Sequence, residues 1–487
     1  MLPEAKLYID GVVRGATGGK TYDNIGPWTG EVVGQAAEAS AEDVNAAIGA
    51  ARRAFDETDW PTRHAYRLEL LTRYRDLLVA NRDKLVEIVR HEVGSALGAA
   101  HSAQVAGALE GATGLIEAFP SIEWEEARGR RRMYGFDSDR LVVKESIGVA
   151  GAITPWNVPL YVNIGKVVAG LLAGCTMVLK PAPDTPLSGT IMGELAAEAG
   201  FPKGVFNVVT SSDPAMAGEM LVTDPRVDLI TFTGSTGVGK RIMEKGGPTL
   251  KRLFLELGGK SANIILDDTP DFAMRVMKSI VCFHAGQGCA IATRLLVPRS
   301  RYAEAVGALE KAYAGYATKW GDFNEPTCVM GPVISKRQLE RVASYVEIGK
   351  KEGARLLAGG NVRTDKGGGF FIEPTCFVDV NNRMRIAQEE IFGPVLVVIP
   401  FENDEDAVRI ANDSEYGLCG VVHSGSQERA MKIARRLRAG SVSVNGGMCI
   451  APDLPFGGYK RSGIGREWGR EGIEEFLETK AIAWVAV

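Results

Sequence analysis

A cysteine stands in the run Gly286-Gln287-Gly288-Cys289, and upstream Glu256 stands in Leu255-Glu256-Leu257-Gly258-Gly259-Lys260. The first segment presents a soft nucleophile on a backbone too rich in glycine for an ordinary core helix. The second presents a carboxyl between apolar neighbours, surroundings that raise its pKa toward neutrality. A nucleophile and a base of tuned pKa are the minimum for covalent catalysis. Brought together in space, the two residues make this chain an enzyme. Cys175, Cys282, Cys376 and Cys419 read instead as small buried hydrophobes. His284 invites a Cys–His hydrolase reading, but no Asn or Asp partner is indicated, so it reads as structural.

Three further motifs offer the groups that such a pair needs. Thr154-Pro155-Trp156-Asn157-Val158-Pro159-Leu160 is a loop made rigid by two prolines, and Asn157 between them can aim an amide at a fixed point, as an oxyanion donor does. Lys180-Pro181-Ala182-Pro183-Asp184 places a lysine at a strand end, where it suits a ribose or a phosphate. Phe232-Thr233-Gly234-Ser235-Thr236-Gly237-Val238-Gly239 reads as a strand-to-helix turn whose free N–H groups favour an anion, although its glycine spacing is not the GxGxxG fingerprint. Alone, each motif has an ordinary structural reading. Together they supply the nucleophile, oxyanion donor, base and nucleotide site that oxidation of a covalently held carbonyl requires.

The elements that must position these groups follow from patterning. Residues 40–55 read as a helix opened by Ser40 with Asp43 as a capping box, and residues 62–93 carry apolar side chains at helical spacing. Short apolar runs at 149–153, 176–179, 205–209, 229–232 and 263–266 alternate with helical stretches at 160–173, 186–199, 214–222 and 236–246. That alternation indicates a doubly wound parallel sheet, which binds ligands at the carboxyl ends of its strands. A second α/β region follows, with helices near 271–282, 301–317 and 336–352 and strands near 395–400, 419–422 and 441–444. Residues 128–146 begin with four arginines in Arg128-Gly129-Arg130-Arg131-Arg132 and end in a β-prone run. They read as an exposed strand for pairing with another subunit, or as a solvated edge.

The chain's 487 residues exceed a single hydrophobic core. A net charge of −4 argues against nucleic acid as a partner. No apolar run is long enough for a membrane span, no signal peptide is read, and the 7 scattered cysteines form neither a metal nor a disulfide pattern. A cytoplasmic protein is expected, with no resident metal.

With these residues in view, the chain resembles the aldehyde dehydrogenase superfamily over nearly its whole length. The motifs fall in family order: 155–159, Lys180-Pro181-Ala182, 232–236, Glu256-Leu257-Gly258-Gly259-Lys260-Ser261, 286–289, Glu389-Glu390-Ile391-Phe392-Gly393-Pro394 and Pro455-Phe456-Gly457-Gly458. The resemblance implies an NAD(P)-dependent, non-acylating enzyme that oxidises an aldehyde to a carboxylic acid through a cysteine thiohemiacetal and thioester. Cys289 would be the nucleophile, Glu256 the base for hydrolysis, Asn157 an oxyanion donor and Lys166 a supporting group. The cofactor surface would comprise Thr154, Pro155, Trp156, Lys180, Pro183, Asp184, Gly234, Ser235, Leu257, Glu390 and Phe392. NAD is expected, with NADP possible because Pro183 stands where many relatives carry a ribose-binding glutamate.

Small residues at Val158, Gly165, Gly288 and Ala290 lead us to expect a roomy pocket for a bulky or aromatic aldehyde, walled by Tyr161, Phe283 and Phe456. The implied architecture is α/β, with a dinucleotide-binding domain (1–127 and 147–255), a catalytic domain (256–445) and a small β oligomerisation element (128–146 and 470–487). The element would pair across subunits in a homodimer or homotetramer. Rival readings are a non-redox cysteine thioesterase or esterase and a catalytically silent structural member of the fold.

Overall fold

The structure is a computed structural model in which residues 1–485 are described. Five apolar runs form parallel strands β1 (Val149–Ile153), β2 (Thr176–Lys180), β3 (Phe206–Val208), β4 (Leu229–Thr233) and β5 (Arg252–Glu256), in the spatial order β3-β2-β1-β4-β5. Most of their side chains are buried on both faces, as expected of a sheet covered by helices. The order reverses between β1 and β4, which opens a crevice at their carboxyl ends. Antiparallel strands Leu7–Ile9 and Gly463–Ile464 extend the two edges. The second sheet also has a parallel core, with Ala262–Ile265 between Arg294–Pro298 and Cys419–His423.

The helices that flank the site are α1 (Gly107–Ala118), α2 (Pro159–Ala173), α3 (Pro186–Ala199), α4 (Pro214–Thr223) and α5 (Thr236–Gly246). Proline opens α2, α3 and α4, where its missing N–H is harmless. Left-handed Gly174 and Gly200 close α2 and α3. The capping box at Ser40 and Asp43 is present on Ala41–Glu57. The long periodic stretch 62–93 is two helices, His64–Ala80 and Arg82–Glu92, because Asn81 bonds back to Leu77 through both its backbone and its side chain.

Helix α3 has no side-chain cap of its own. Glu92, buried at the end of its helix, accepts from Leu187 N at 3.0 Å, Ser188 N at 2.7 Å and Asn24 Nδ2 at 3.1 Å, as well as from the Ser188 hydroxyl. Burial pushes its carboxyl up to about 7. Glu92→Ala strands these donors in the core and is expected to lower stability by about 2–4 kcal/mol, read from the urea unfolding midpoint.

Residues 128–146 contribute the short strand Arg131–Met133 and the long strand Phe136–Ser146, which pairs within the same chain with Leu477–Val485 and with Glu125–Ala127. This register joins segments far apart in sequence, and no local pattern encodes it. Residues 486 and 487 lie outside the described residues. Among the described residues no helix is long and apolar enough to cross a membrane.

Candidate active site

The cysteine loop is strained where it needs to be sharp. After Cys282 the backbone passes through three left-handed residues, His284 (φ 49°), Ala285 (φ 50°) and Gly286 (φ 70°). Only the last can occupy this region without cost, and the two side chains before it hold a conformation worth about 1–3 kcal/mol each. Glycine is also required at 286 because a β-carbon there would strike the Gly393 carbonyl. Gln287 braces the turn, donating to His284 O at 3.2 Å and accepting from Ile334 N at 2.9 Å. His284 is buried and pushed down to about 4 by desolvation. The turn leaves Cys289 partly accessible.

Glu256 ends β5 and is buried, and neither of its carboxyl oxygens has a partner in the protein. The next turn, Leu257-Gly258-Gly259, lies directly on the cysteine loop, since a β-carbon at Gly259 would strike the Cys289 carbonyl. Sheet and loop thus bring base and nucleophile together. Burial, and then the negative charge of Glu467, hold the Glu256 carboxyl well above its ordinary value, with Lys166 opposing. Burial, followed by the charge of Glu256, raises the Cys289 thiol in the same way. A negative charge on Glu256 therefore disfavours ionisation of the thiol beside it.

Behind them lies a buried ion pair. Lys166 on α2 donates to Glu467 Oε1 at 2.6 Å and to Thr231 Oγ1 at 2.9 Å, and its ammonium stands 4.8 Å from the Phe254 ring centroid. Asn157, just before α2, donates from Nδ2 to Gln287 O at 3.0 Å, which aims its amide at the cysteine loop. Its own carbonyl accepts from buried Gln104 at 2.8 Å. Gln104 lies in a π-helical turn, Ala100–Ala106, a distortion that often marks functional sites. Glu467 and Gln104 were not singled out from sequence. A charged residue between Arg466 and Trp468 was a weak signal for the first, and nothing local marked the second.

Most of the residues expected at the cofactor follow the carboxyl ends of β1, β2, β4 and β5. Thr154 is buried with a free hydroxyl, and its N–H donates to Lys180 O at 3.2 Å. Lys180 is buried at the end of β2, and desolvation pushes it down to about 8 against the charges of Asp213, Asp184 and Glu38. Pro183 and Asp184 follow it, both half-buried. Gly234 lies against the Phe232 ring, and Ser235 caps α5 by accepting from Val238 N at 3.4 Å. Between α4 and α5 lies a mostly apolar slot of about 280 Å³, lined by Ile153, Pro214, Gly218, Val222, Val238 and Ile242 together with Glu219, Arg241 and Lys245. Its α4 side was not expected from sequence. At the other end Glu390 accepts from Gly259 N at 2.9 Å, and Trp156 meets Phe392 edge-on at 5.3 Å. Leu257 is buried against Gly239, joining this surface to the base. A mostly apolar slot, a helix N-terminus and a buried lysine at the strand ends suit an extended dinucleotide.

The pocket differs from expectation at two places. Phe283 is 48% exposed and stands at the surface, because the turn at His284 swings it outward. Gly165 leaves no gap: a β-carbon there would stand 2.8 Å from Cζ2 of Trp468, whose indole fills the space. Tyr161 stands within reach of the Cys289 charge, and Phe456 is buried. Tyr161 packs on Trp468, and Phe456 pairs through its backbone with Glu467 at 2.7 Å in both directions.

A candidate nucleophile, base and oxyanion donor gathered beside a doubly wound α/β sheet are the parts that an oxidoreductase acting on a covalently held carbonyl requires. The aldehyde dehydrogenase family matches residues 13–482, and the chain belongs to that family. It is 41% identical to 3-succinoylsemialdehyde-pyridine dehydrogenase from a Pseudomonas species, with 98% of each chain covered. Among solved structures, an aldehyde dehydrogenase of Mycobacterium tuberculosis complexed with NAD+ is similar, at 41% identity and a TM-score of 0.93 over 99% of this chain and 98% of that one. A mutant of aldehyde dehydrogenase C from Pseudomonas syringae, complexed with NAD+ and octanal, has 38% identity and a TM-score of 0.91 over 98% and 96%.

Proposed function

We propose that this aldehyde dehydrogenase oxidises an aldehyde whose carbonyl is attached directly to an aromatic ring, using NAD and releasing the free carboxylic acid. The observation that carries the hydrolytic half is Glu256: a buried carboxyl with no protein partner, next to the cysteine loop, is placed to work on a water molecule. The Cys289 sulfur adds to the carbonyl carbon, and the Asn157 amide and the Cys289 backbone N–H hold the oxygen as it becomes negative. When bound, the dinucleotide accepts the hydride that leaves this carbon. The thioester left on Cys289 is cleaved by water as Glu256 takes its proton, returning the thiol. Lys166 and Glu467 are the charged pair behind Glu256 and set how readily it gains and loses that proton.

NAD fits Lys180 better than a 2′-phosphorylated cofactor does, because the carboxylates of Asp213, Asp184 and Glu38 already surround that lysine and oppose further negative charge. The substrate class rests on pocket shape. Side chains are small next to the nucleophile at Val158, Gly288 and Ala290, and aromatic at Tyr161 and Trp468. Breadth at the carbonyl with closure behind it suits a single ring. The test follows the absorbance of reduced nicotinamide with acetaldehyde, hexanal and benzaldehyde, with mass detection of the acyl group on Cys289. Benzaldehyde should have the highest kcat/KM, and comparable values for acetaldehyde and benzaldehyde would count against the aromatic class. Ester cleavage with no reduced nicotinamide would instead support the thioesterase reading.

We also propose a homo-oligomer. Phe136–Ser146 and Leu477–Val485 expose Phe136 (66%), Trp484 (51%) and Val485 (65%), with Tyr134 (91%) at the hairpin tip, a concentration of large apolar groups that a lone chain does not favour. The free edge of Leu477–Val485 offers a template for pairing. Light scattering should return a dimer or tetramer mass, and Trp484→Lys should shift it toward the monomer.

A further inference from the structure

We propose that Trp468 determines how long an aldehyde the pocket accepts, by supplying from the C-terminal loop the bulk that Gly165 omits from α2. The proposal rests on the active-site reading above and adds a specificity-determining residue to it. Tyr161 and Gly165 lie one turn apart on α2, and Asn157 stands in the loop just before the helix. Asn157 touches the cysteine loop, as its bond to Gln287 O at 3.0 Å records. Tyr161 stands close enough to both Cys289 and Glu467 for their charges to act on its hydroxyl. At Gly165 the helix exposes its backbone, and the Trp468 indole occupies the vacant volume.

The fit is close on two helices. The ring carbons Cζ2 and Cη2 of Trp468 lie 2.8 and 3.0 Å from where a β-carbon of Gly165 would be, and on α1 a β-carbon of Gly111 would stand 2.7 Å from the same Cη2. The indole and the Tyr161 ring stack with centroids 4.4 Å apart, tilted by 43°. The result is an aromatic partition wedged between α1 and α2.

Two features distinguish Trp468 from ordinary core filler. Its backbone has φ 67° and ψ 167°, a region that glycine favours and tryptophan rarely adopts. Its Nε1, fully buried, has no acceptor in the protein, although a buried indole N–H normally finds one. A leucine would fill a core without the unmet donor. The strained backbone is held from both sides: Glu467 and Phe456 exchange backbone hydrogen bonds at 2.7 Å, and Gly469 N donates to Pro452 O at 2.9 Å. The same loop therefore carries Glu467 to Lys166, Phe456 to the pocket and Trp468 to its far end.

The test compares kcat/KM for benzaldehyde, 2-naphthaldehyde and biphenyl-4-carbaldehyde in wild type, Trp468→Leu, Trp468→Phe and Gly165→Ala, with the burst of reduced cofactor on acetaldehyde as a control for intact chemistry. Wild type should favour benzaldehyde. Trp468→Leu should raise the naphthaldehyde-to-benzaldehyde ratio by roughly tenfold or more, the scale on which one pocket group discriminates. Trp468→Phe should move the ratio the same way by less, and it gives the reading if the leucine variant does not fold. Gly165→Ala drives the indole toward Tyr161 and should lower the ratio. A wild type that oxidises benzaldehyde, with a ratio unchanged in all the folded variants or all activities falling in parallel, overturns the proposal alone. A wild type that oxidises no aldehyde overturns the active-site reading and this proposal with it.

Discussion

Glu256→Gln is expected to produce about one reduced nicotinamide per active site and then stall, its steady-state rate falling by about 10²–10⁴. Glutamine keeps the shape of the side chain at the end of β5 but cannot take a proton from water, so acylation of Cys289 proceeds and release of the acid does not. Rapid mixing with benzaldehyde and NAD reads the burst, and mass spectrometry finds the acyl group on Cys289. The pH profile adds a second signature. Burial holds the Glu256 carboxyl well above its ordinary value, so the ionised base appears only as pH rises past that raised pKa, and wild-type turnover should climb from acid through neutral toward alkaline pH. The Cys289 thiol is raised as well, so the burst rate should climb in the same direction. In Glu256→Gln the rise in the burst rate persists while the rise in deacylation is lost. Full turnover in this variant would mean that another group activates the water.

The sequence made some of this design legible and concealed the rest for a physical reason. Strands β1 to β4 were visible because a parallel sheet buried on both faces demands continuous apolar runs, and the helices between them carried prolines and glycines at their ends. The fifth expected run, 263–266, belongs instead to the second sheet, and β5, which opens on a charged residue, was missed. Cys289, Glu256 and Asn157 could be found because each sits in a turn whose glycines or prolines are local. Lys166 became visible only through resemblance. Its partner Glu467, the brace Gln104 and the wall residue Trp468 act through contacts between segments far apart in sequence, and nothing in their own neighbourhoods records those contacts. Gly165 shows the consequence most clearly. A small residue on a pocket-facing helix indicates space only if nothing else arrives, and here an indole from the C-terminal loop fills it. Phe283 failed for a related reason, since one left-handed residue after it reverses where the side chain points.

Asn157→Ala is expected to slow hydride transfer by about 10²–10³, the usual effect of removing one oxyanion donor. The structure places a complication beside this expectation: the same amide donates to Gln287 O, so its loss could also loosen the loop that carries Cys289. The two effects separate experimentally. An oxyanion donor acts only after the sulfur has added to the carbonyl, so the rate at which iodoacetamide alkylates Cys289 should be unchanged while the burst on aldehyde slows. A loop support acts on the thiol itself, and its loss should slow alkylation as much as the burst. Equal losses in both assays would reassign Asn157 to a positioning role. Gln104→Ala provides the comparison, because among the described residues the side chain of Gln104 makes its one hydrogen bond to the Asn157 backbone carbonyl, at 2.8 Å. It should reproduce the direction of the Asn157 effect at about a tenth of its size, the measure of misplacing a donor in place of removing it.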